Sequence, residues 1–294
     1  MATIVIGDKL AENLAQQLNL EAVLVEDRVF ADGEIKPKLQ KEISAETIIF
    51  LLQKREQENV NDYLIKYFLL TRKAKDLAKR VIGIMPYLPY ARQDAVFNDG
   101  EPISSLYLCE LLGKNLDVFI TCNMHEHRKK IGNLFTIPAY NLSLFSDLAE
   151  YFKDLVAENT VVIGPDRESK TFVDDFCKNF SGQKLIMSKQ RDAQTGAINF
   201  SSLTADLRNK DIIIVDDMVS TGTTIMKVAQ LVKQAQAKSI NFAFVHSIFG
   251  NATIDRLEKI KPRKIVTTNT LDNSKYQLDI TKPLAKFLKQ EIKL

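Results

Sequence analysis

The run DIIIVDDMVSTGTT, residues 211–224, places two adjacent carboxylates, four hydroxyl side chains and a glycine directly after a short apolar stretch. Ile212 to Val215 read as a strand buried on both faces of a parallel sheet, and the amphipathic pattern from Ile225 onward reads as a following helix. The turn between them then lies at the carboxyl edge of a sheet, where open α/β folds bind ligands. Backbone N–H groups from Ser220 through Thr221, Gly222 and Thr223 to Thr224 suit an anion at the positive end of that helix. Gly222 permits close approach of a phosphate. A phosphate has no use for Asp216 and Asp217, whereas a vicinal diol does, because carboxylates accept hydrogen bonds from hydroxyls. A ligand carrying both groups, such as ribose 5-phosphate, uses the whole run. The alternative is a strand end with an ordinary Ser/Thr cap and an exposed acid pair, which leaves the remaining hydroxyls and the glycine unexplained.

In these residues the run resembles the phosphoribosyl-diphosphate binding motif, two acids followed by a Thr-Gly-x-Thr turn, which phosphoribosyltransferases and the synthetases of that compound share. Four further segments resemble the synthetases, the ribose-phosphate diphosphokinases: VFADGEI (29–35), PYARQD (89–94) with GEPIS (100–104), NMH around His125, and SKQRD (188–192). FVHSIFGNA (244–252) and TTNTL (267–271) extend the resemblance over nearly the whole chain. A transferase has no counterpart to the first two segments. Ser220 stands where many bacterial members carry a third acid, which looks more like the archaeal-type members.

The resemblance implies transfer of the diphosphoryl group of ATP to the C1 hydroxyl of ribose 5-phosphate, with magnesium. It implies nucleotide contacts from Phe30, Asp32 and Glu34 of a neighbouring subunit, and hence a homo-oligomer of at least two chains. Chemically, Phe30 offers a stacking face beside two acceptors; a plain turn with Phe30 as a core anchor is the competing reading. Arg92 can cover an adenine face by cation–π contact while Gln93 donates and accepts. His125 matches the family histidine that contacts nucleotide phosphates and magnesium, and Asp166 the aspartate that helps bind ribose phosphate and metal. Lys189 and Arg191 match the paired bases of a mobile catalytic loop, where two cations would stabilise charge on the transferring group. Standing alone, SKQRD reads as a solvated basic turn. The chain departs from the family pattern at Ala95 and Val96, where a base usually follows ARQD, at Asn123, usually acidic, and at Glu168 and Ser169, usually a glycine pair.

Two other patterns invite different chemistry. His125 and His127 stand two apart, as in some transition-metal sites, but no third ligand cluster accompanies them. Residues 164–171, GPDRESKT, fit a nucleoside-triphosphatase phosphate loop except that Ser169 replaces its second glycine and Asp166 would repel a wrapped phosphate. The rival functions are a phosphoribosyltransferase and an inactive regulatory homologue.

The elements that must position these residues alternate along the chain. Short apolar strands TIVIG, ETIIFLLQ and RVIGIMPY are followed by helices over about 8–18, 59–80 and 104–112, and the strand DVFITCN by a break. The second half repeats the theme with NTVVIGP, KLIMSK, DIIIVDD, INFAFVHS and KIVTTN, ending in a helix from about Pro283 to Leu294. Alternation of this kind predicts α/β architecture, two doubly wound parallel-sheet domains of the type I phosphoribosyltransferase kind by resemblance. The expected domains are 1–140, carrying the ATP segments, and 141–294, carrying the ribose-phosphate loop; packing of the last helix on the first domain stays open. A chain of 294 residues with 45% hydrophobic residues can bury the cores this requires. Its net charge of +3 is interspersed, so no polybasic block calls for nucleic acid or a membrane surface. No apolar run approaches the roughly 18–20 residues of a membrane span, and MATIVIGD lacks the basic preface of a secretory signal. Cys109, Cys122 and Cys177 read as buried thiols of a cytoplasmic enzyme.

Overall fold

The computed structural model of the chain describes residues 2–126, 128–191, 198–200, 205–248, 250–272 and 278–294. They divide into two compact units, Met1–Leu142 with Ile280–Leu294, and Ser143–Asp279. The first unit runs β1 (Thr3–Gly7), α1 (Lys9–Leu18), β2 (Glu21–Val29), β3 (Ile35–Leu39), β4 (Ala45–Leu51), the two-residue β5 (Lys54–Arg55), α2 (Val60–Leu77), β6 (Ala78–Ile84), α3 (Ser104–Gly113), β7 (Val118–Cys122) and β8 (Ala139–Leu142). Seven strands form one sheet in the order β3-β2-β1-β4-β6-β7-β8. Every pair is parallel except β2 with β3, an antiparallel hairpin at the edge. Ile48, Ile49, Phe50 and Leu51 are wholly buried, as a strand covered by helices on both faces must be. The chain moves from β1 outward to β2 and later crosses to β4 on the other side of β1, so the winding reverses between β1 and β4.

Local chemistry sets the helix ends. Asp8 is extended and its Oδ1 accepts the N–H groups of Leu10 and Ala11, which starts α1, and Asn19 in the left-handed region stops it. The helical pattern expected to reach residue 80 ends at Leu77. Ala78 is already extended, and Val81 donates its N–H to Asp117 at 2.7 Å, so sheet pairing claims residues that could have continued the helix.

The second unit contains α4 (Phe145–Ala149), β9 (Thr160–Gly164), α5 (Lys170–Phe176), β10 (Gln183–Ile186), β11 (Lys189–Arg191), β12 (Ile198–Phe200), β13 (Asp211–Val219), α6 (Thr223–Gln234), β14 (Ser239–Ser247), α7 (Gly250–Glu258), β15 (Lys264–Val266) and the two-residue β16 (Leu271–Asp272). Its main sheet, β10-β9-β13-β14-β15, is wholly parallel. Ile212, Ile214, Phe242 and Phe244 pack against Ile225, Val228, Ala229 and Val232 of α6, the apolar stripe seen in the sequence. Here the winding reverses between β9 and β13. Both main sheets are thus doubly wound, and parallel apart from the β2–β3 hairpin.

Helix α8 (Thr281–Phe287) belongs to the first unit and packs on α1. Phe287 meets Tyr140 edge-on at 5.4 Å, and Lys289 donates to the Gln17 carbonyl at 3.2 Å. Instead of one α-helix over 283–294, α8 widens into a π-helical stretch at Leu288–Ile292. All three cysteines are thiols; Cys109 and Cys122 are buried, and burial pushes Cys109 up to about 12, but Cys177 is only half-buried. Among the described residues no helix is long and apolar enough to cross a membrane.

Candidate active-site segments

In the second unit the winding reversal brings two turns side by side. β9 and β13 pair in parallel through Ile163 and Ile214, so Asp166 follows the end of one strand where the other continues through Asp216 and Asp217. Strand β13 runs further than its apolar run predicts, through both acids to Val219, because β14 continues beside it and pairs Asp216 with Phe244 and Val219 with Ser247. Asp217 is 4% exposed while Asp216 is half-buried. Gly222 then adopts φ 71° and caps α6, a conformation that a branched side chain rarely takes. The Thr221 and Thr223 hydroxyls lie 3.0 Å apart on the exposed side of the turn, and Ser220 and Thr224 are half-buried. The turn therefore presents hydroxyls and helix N–H groups beside a strand end bearing two carboxylates.

Asp166 has an architecture of its own. Its Oδ1 accepts the N–H groups of Glu168 at 3.1 Å and Ser169 at 3.2 Å, and the Ser169 hydroxyl closes a capping box by accepting from the Asp166 N–H. A Cβ on Gly164 would lie 2.2 Å from the Ser169 Oγ. This chain thus uses Ser169 to fix Asp166, and Gly164 supplies the room. Within 164–171, Gly164 ends β9 and Asp166 caps the helical turn that follows.

Val245 and His246 of FVHSIFGNA meet TTNTL; Phe249 lies outside the described residues. Buried His246, in register with Met218, holds its Nδ1 2.9 Å from the Thr270 hydroxyl, and Thr268 donates to the Val245 carbonyl at 2.8 Å. Among the predicted site residues, Lys189 and Arg191 fall on β11, paired antiparallel to β12, rather than in a loop. Ile198 and Phe200, a β-branched and an aromatic residue, supply the partner strand. Asp192 lies outside the described residues.

In the first unit, PYARQD follows β6 and His125 follows the adjacent β7. Tyr90 takes φ 61° and donates its hydroxyl to Asn61 Oδ1 at 2.7 Å. The Gln93 N–H donates to the Tyr90 carbonyl, and its own carbonyl accepts the N–H of Ser105 on α3. Arg92 and Gln93 are exposed; Arg92 stacks on no aromatic ring among the described residues. His125 is half-buried and His127 lies outside the described residues. Asn123, the unusual residue before His125, is buried with φ 38°, a left-handed bend that asparagine tolerates better than most.

The hairpin between β2 and β3 carries Phe30, Asp32 and Glu34. The Phe30 N–H donates to the Glu34 carbonyl at 2.8 Å, Gly33 to the Phe30 carbonyl, and Glu34 to Asp32 Oδ1. The Phe30 ring is 37% exposed beneath the Arg28 guanidinium, so it anchors no core. Strands β1 and β4 stand between β2 and β6, which separates the hairpin from PYARQD by three interstrand spacings, roughly 14 Å within one sheet. One chain therefore does not bring these two segments onto adjacent strands.

A feature that the sequence hid supports this hairpin. Lys66 on α2, 1% exposed, binds Asp27 Oδ2 at 3.2 Å and the Glu58 carboxylate, while Arg55 on β5 also binds Asp27. Burial raises the Asp27 pKa, but the Arg55 hydrogen bond and the Lys66 and Arg55 charges outweigh it and hold the carboxyl below its ordinary range. These residues lie 8 to 39 positions apart, so no local pattern announces them.

Among the described residues no three His, Cys, Asp or Glu side chains gather to hold a metal. Magnesium in nucleotide enzymes is usually held by one or two side chains and substrate phosphates, a requirement that dispersed single donors meet.

The family comparisons cover both units. Residues 3–115 match the model of the N-terminal domain of ribose phosphate pyrophosphokinase, and residues 140–282 the phosphoribosyl transferase domain. A ribose-phosphate pyrophosphokinase of Methanobrevibacter smithii is 30% identical over 293 residues, covering 95% of this chain and 96% of its own. One from Saccharolobus solfataricus is 28% identical over 93% of this chain and 94% of its own. The crystal structure of phosphoribosylpyrophosphate synthetase from Mycobacterium smegmatis shares the fold, with a TM-score of 0.85, 23% identity, and coverage of 100% of this chain and 99% of that one. By sequence and by the domains it contains, the chain belongs to the ribose-phosphate pyrophosphokinase family.

Proposed function

We propose that this chain transfers the diphosphoryl group of ATP to ribose 5-phosphate, giving 5-phosphoribosyl 1-diphosphate and AMP. The sugar C1 oxygen forms a bond to the β-phosphorus, the bond from that phosphorus to the α-phosphate oxygen breaks, AMP leaves with the electron pair, and the hydroxyl proton is released. Besides family membership, the observation that carries this reading is the parallel pairing of β9, which leads into Asp166, with β13, which carries Asp216 and Asp217 into the Ser220–Thr224 turn, at the winding reversal of one sheet. Open α/β sheets bind their ligands at such a point. The N–H groups and hydroxyls of Ser220, Thr221, Gly222, Thr223 and Thr224 receive the 5-phosphate, and Asp216 and Asp217 accept from the ribose hydroxyls.

On the nucleotide side, Arg92 and Gln93 read adenine and His125 meets the phosphates, with Phe30, Asp32 and Glu34 supplied by a second copy of the chain. That arrangement explains why the hairpin stands apart from PYARQD in the strand order. Lys189 and Arg191 stabilise charge on the transferring group. His125 in the first unit and Asp166 in the second are each a donor that a magnesium ion would use, and such an ion would neutralise phosphate charge. We take the enzyme to be a homo-oligomer, at least a dimer, working in the cytoplasm. An assay of AMP release tests the reading. AMP should form only when ATP, magnesium and ribose 5-phosphate are all present. Consumption of 5-phosphoribosyl 1-diphosphate with a base would instead make it a transferase, and no turnover with retained binding a regulatory homologue.

A further inference from the structure

Asp94 closes the PYARQD segment and is only 3% exposed, and the next two residues, Ala95 and Val96, offer no counter-charge. Its partner comes from 34 positions away. Arg128 donates from Nη1 to Asp94 Oδ1 at 2.8 Å and from its backbone N–H to Oδ2 at 3.2 Å. Its guanidinium also lies 5.2 Å over the ring of Phe97, three residues beyond Asp94. Arg128 follows His125 by three residues. A buried carboxylate is costly unless paired, and both of its oxygens are engaged by one residue of the neighbouring segment. The loops after β6 and β7 are therefore joined by a contact that resists sliding of one past the other.

We infer that Arg128 is a positioning residue for the nucleotide: through Asp94 it fixes the loop bearing Arg92 and Gln93 against the loop bearing His125. The inference rests on the proposed function, which places base contacts on the first loop and phosphate contacts on the second. A ligand spanning both loops gains from their fixed spacing, whereas a ligand touching only one does not. A lysine cannot replace this guanidinium fully, because it lacks the planar fork that binds Asp94 and covers the Phe97 ring at once.

Calorimetric titration of ATP with magnesium, inorganic tripolyphosphate and ribose 5-phosphate, on the full chain and its variants, separates the possibilities. Arg128→Met should weaken ATP by about ten-fold or more, while tripolyphosphate and ribose 5-phosphate stay within about two-fold of the wild type. Arg128→Lys should recover part of the loss. Adding Asp94→Asn to Arg128→Met should weaken ATP little further, since both changes break one contact. Equal loss of ATP and tripolyphosphate would make Arg128 a direct phosphate contact, and unchanged ATP affinity would remove its role; either overturns the inference. If Arg128→Met does not fold, Asp94→Asn alone must show the same selective loss of ATP, and its absence is equally decisive. A wild-type chain that binds no ATP would instead overturn the proposed function.

Discussion

The two units place their candidate site residues in opposite ways. In the second unit, nine consecutive residues, 216–224, carry the acids, the hydroxyls, the glycine and the helix start, and the adjacent strand adds Asp166. In the first unit, the segments proposed to meet the nucleotide follow β2, β6 and β7, and ion pairs between residues far apart in sequence hold them: Asp27 with Arg55 and Lys66, and Asp94 with Arg128. A phosphate with a sugar is compact enough for one turn and its neighbour to enclose. A nucleotide is longer, and on the proposed function its contacts come from separate loops whose spacing must be set by tertiary pairing. Damage in the second unit should thus be local and specific to ribose 5-phosphate, whereas damage to the ion pairs of the first should reach stability and nucleotide binding.

The largest expected effect is on stability. Lys66→Met leaves Glu58 without its buried partner and Asp27 with only Arg55, and should destabilise the protein by on the order of 3 to 5 kcal/mol in denaturant unfolding. A loss below about 1 kcal/mol would mean that the hairpin does not depend on this cluster. Next, Lys189→Ala should lower kcat by roughly 10² to 10³, about 3 to 4 kcal/mol, with little change in KM for either substrate. A proportionate rise in KM for ATP with kcat kept would make the segment a docking site.

Asp217→Ala tests the local character of the second unit. Loss of a hydrogen bond to a charged group, about 1.5 to 3 kcal/mol, should weaken ribose 5-phosphate by roughly 10- to 150-fold and leave ATP binding intact. Parallel loss of both ligands would dissolve the contrast between the units. A milder test addresses the hairpin. Mixing Arg92→Ala chains with Phe30→Ala chains should restore about a quarter of wild-type activity, since half the random dimers then hold one intact site of two. No recovery would confine the hairpin's role to its own chain.

How much of this was legible in the sequence follows the same division. DIIIVDDMVSTGTT could be read because strand, ligand groups and helix start are consecutive, and the parallel doubly wound sheets because buried strands and amphipathic helices each leave a periodic trace. Strand β13 reaches past DIIIVDD to Val219, which only the continuation of β14 beside it explains. Lys66 was illegible for a related reason: a lysine on a helix reads as a solvated face, and only the fold places Asp27 and Glu58 around it. Arg128 and Asp94, 34 residues apart, carry no shared local signal.

Smallest of all is a pH effect. The folded Asp27 carboxyl is held below its ordinary value of 3.8, so its stabilisation is fully present above that value and is lost as pH falls through the lower folded one. Asp27→Asn should therefore flatten the wild type's loss of stability with acid below about pH 4, as read from unfolding midpoints. Equal slopes in the two proteins would show that other carboxylates set the acid response.

The central claim concerns which group moves, and phosphorus NMR of one reaction mixture follows it directly. With ATP, magnesium and ribose 5-phosphate, the β and γ resonances of ATP should move together into a diphosphate on the ribose C1 oxygen, with AMP appearing in equal amount. Formation of ADP with a singly phosphorylated sugar, or an unchanged ATP spectrum, would contradict it.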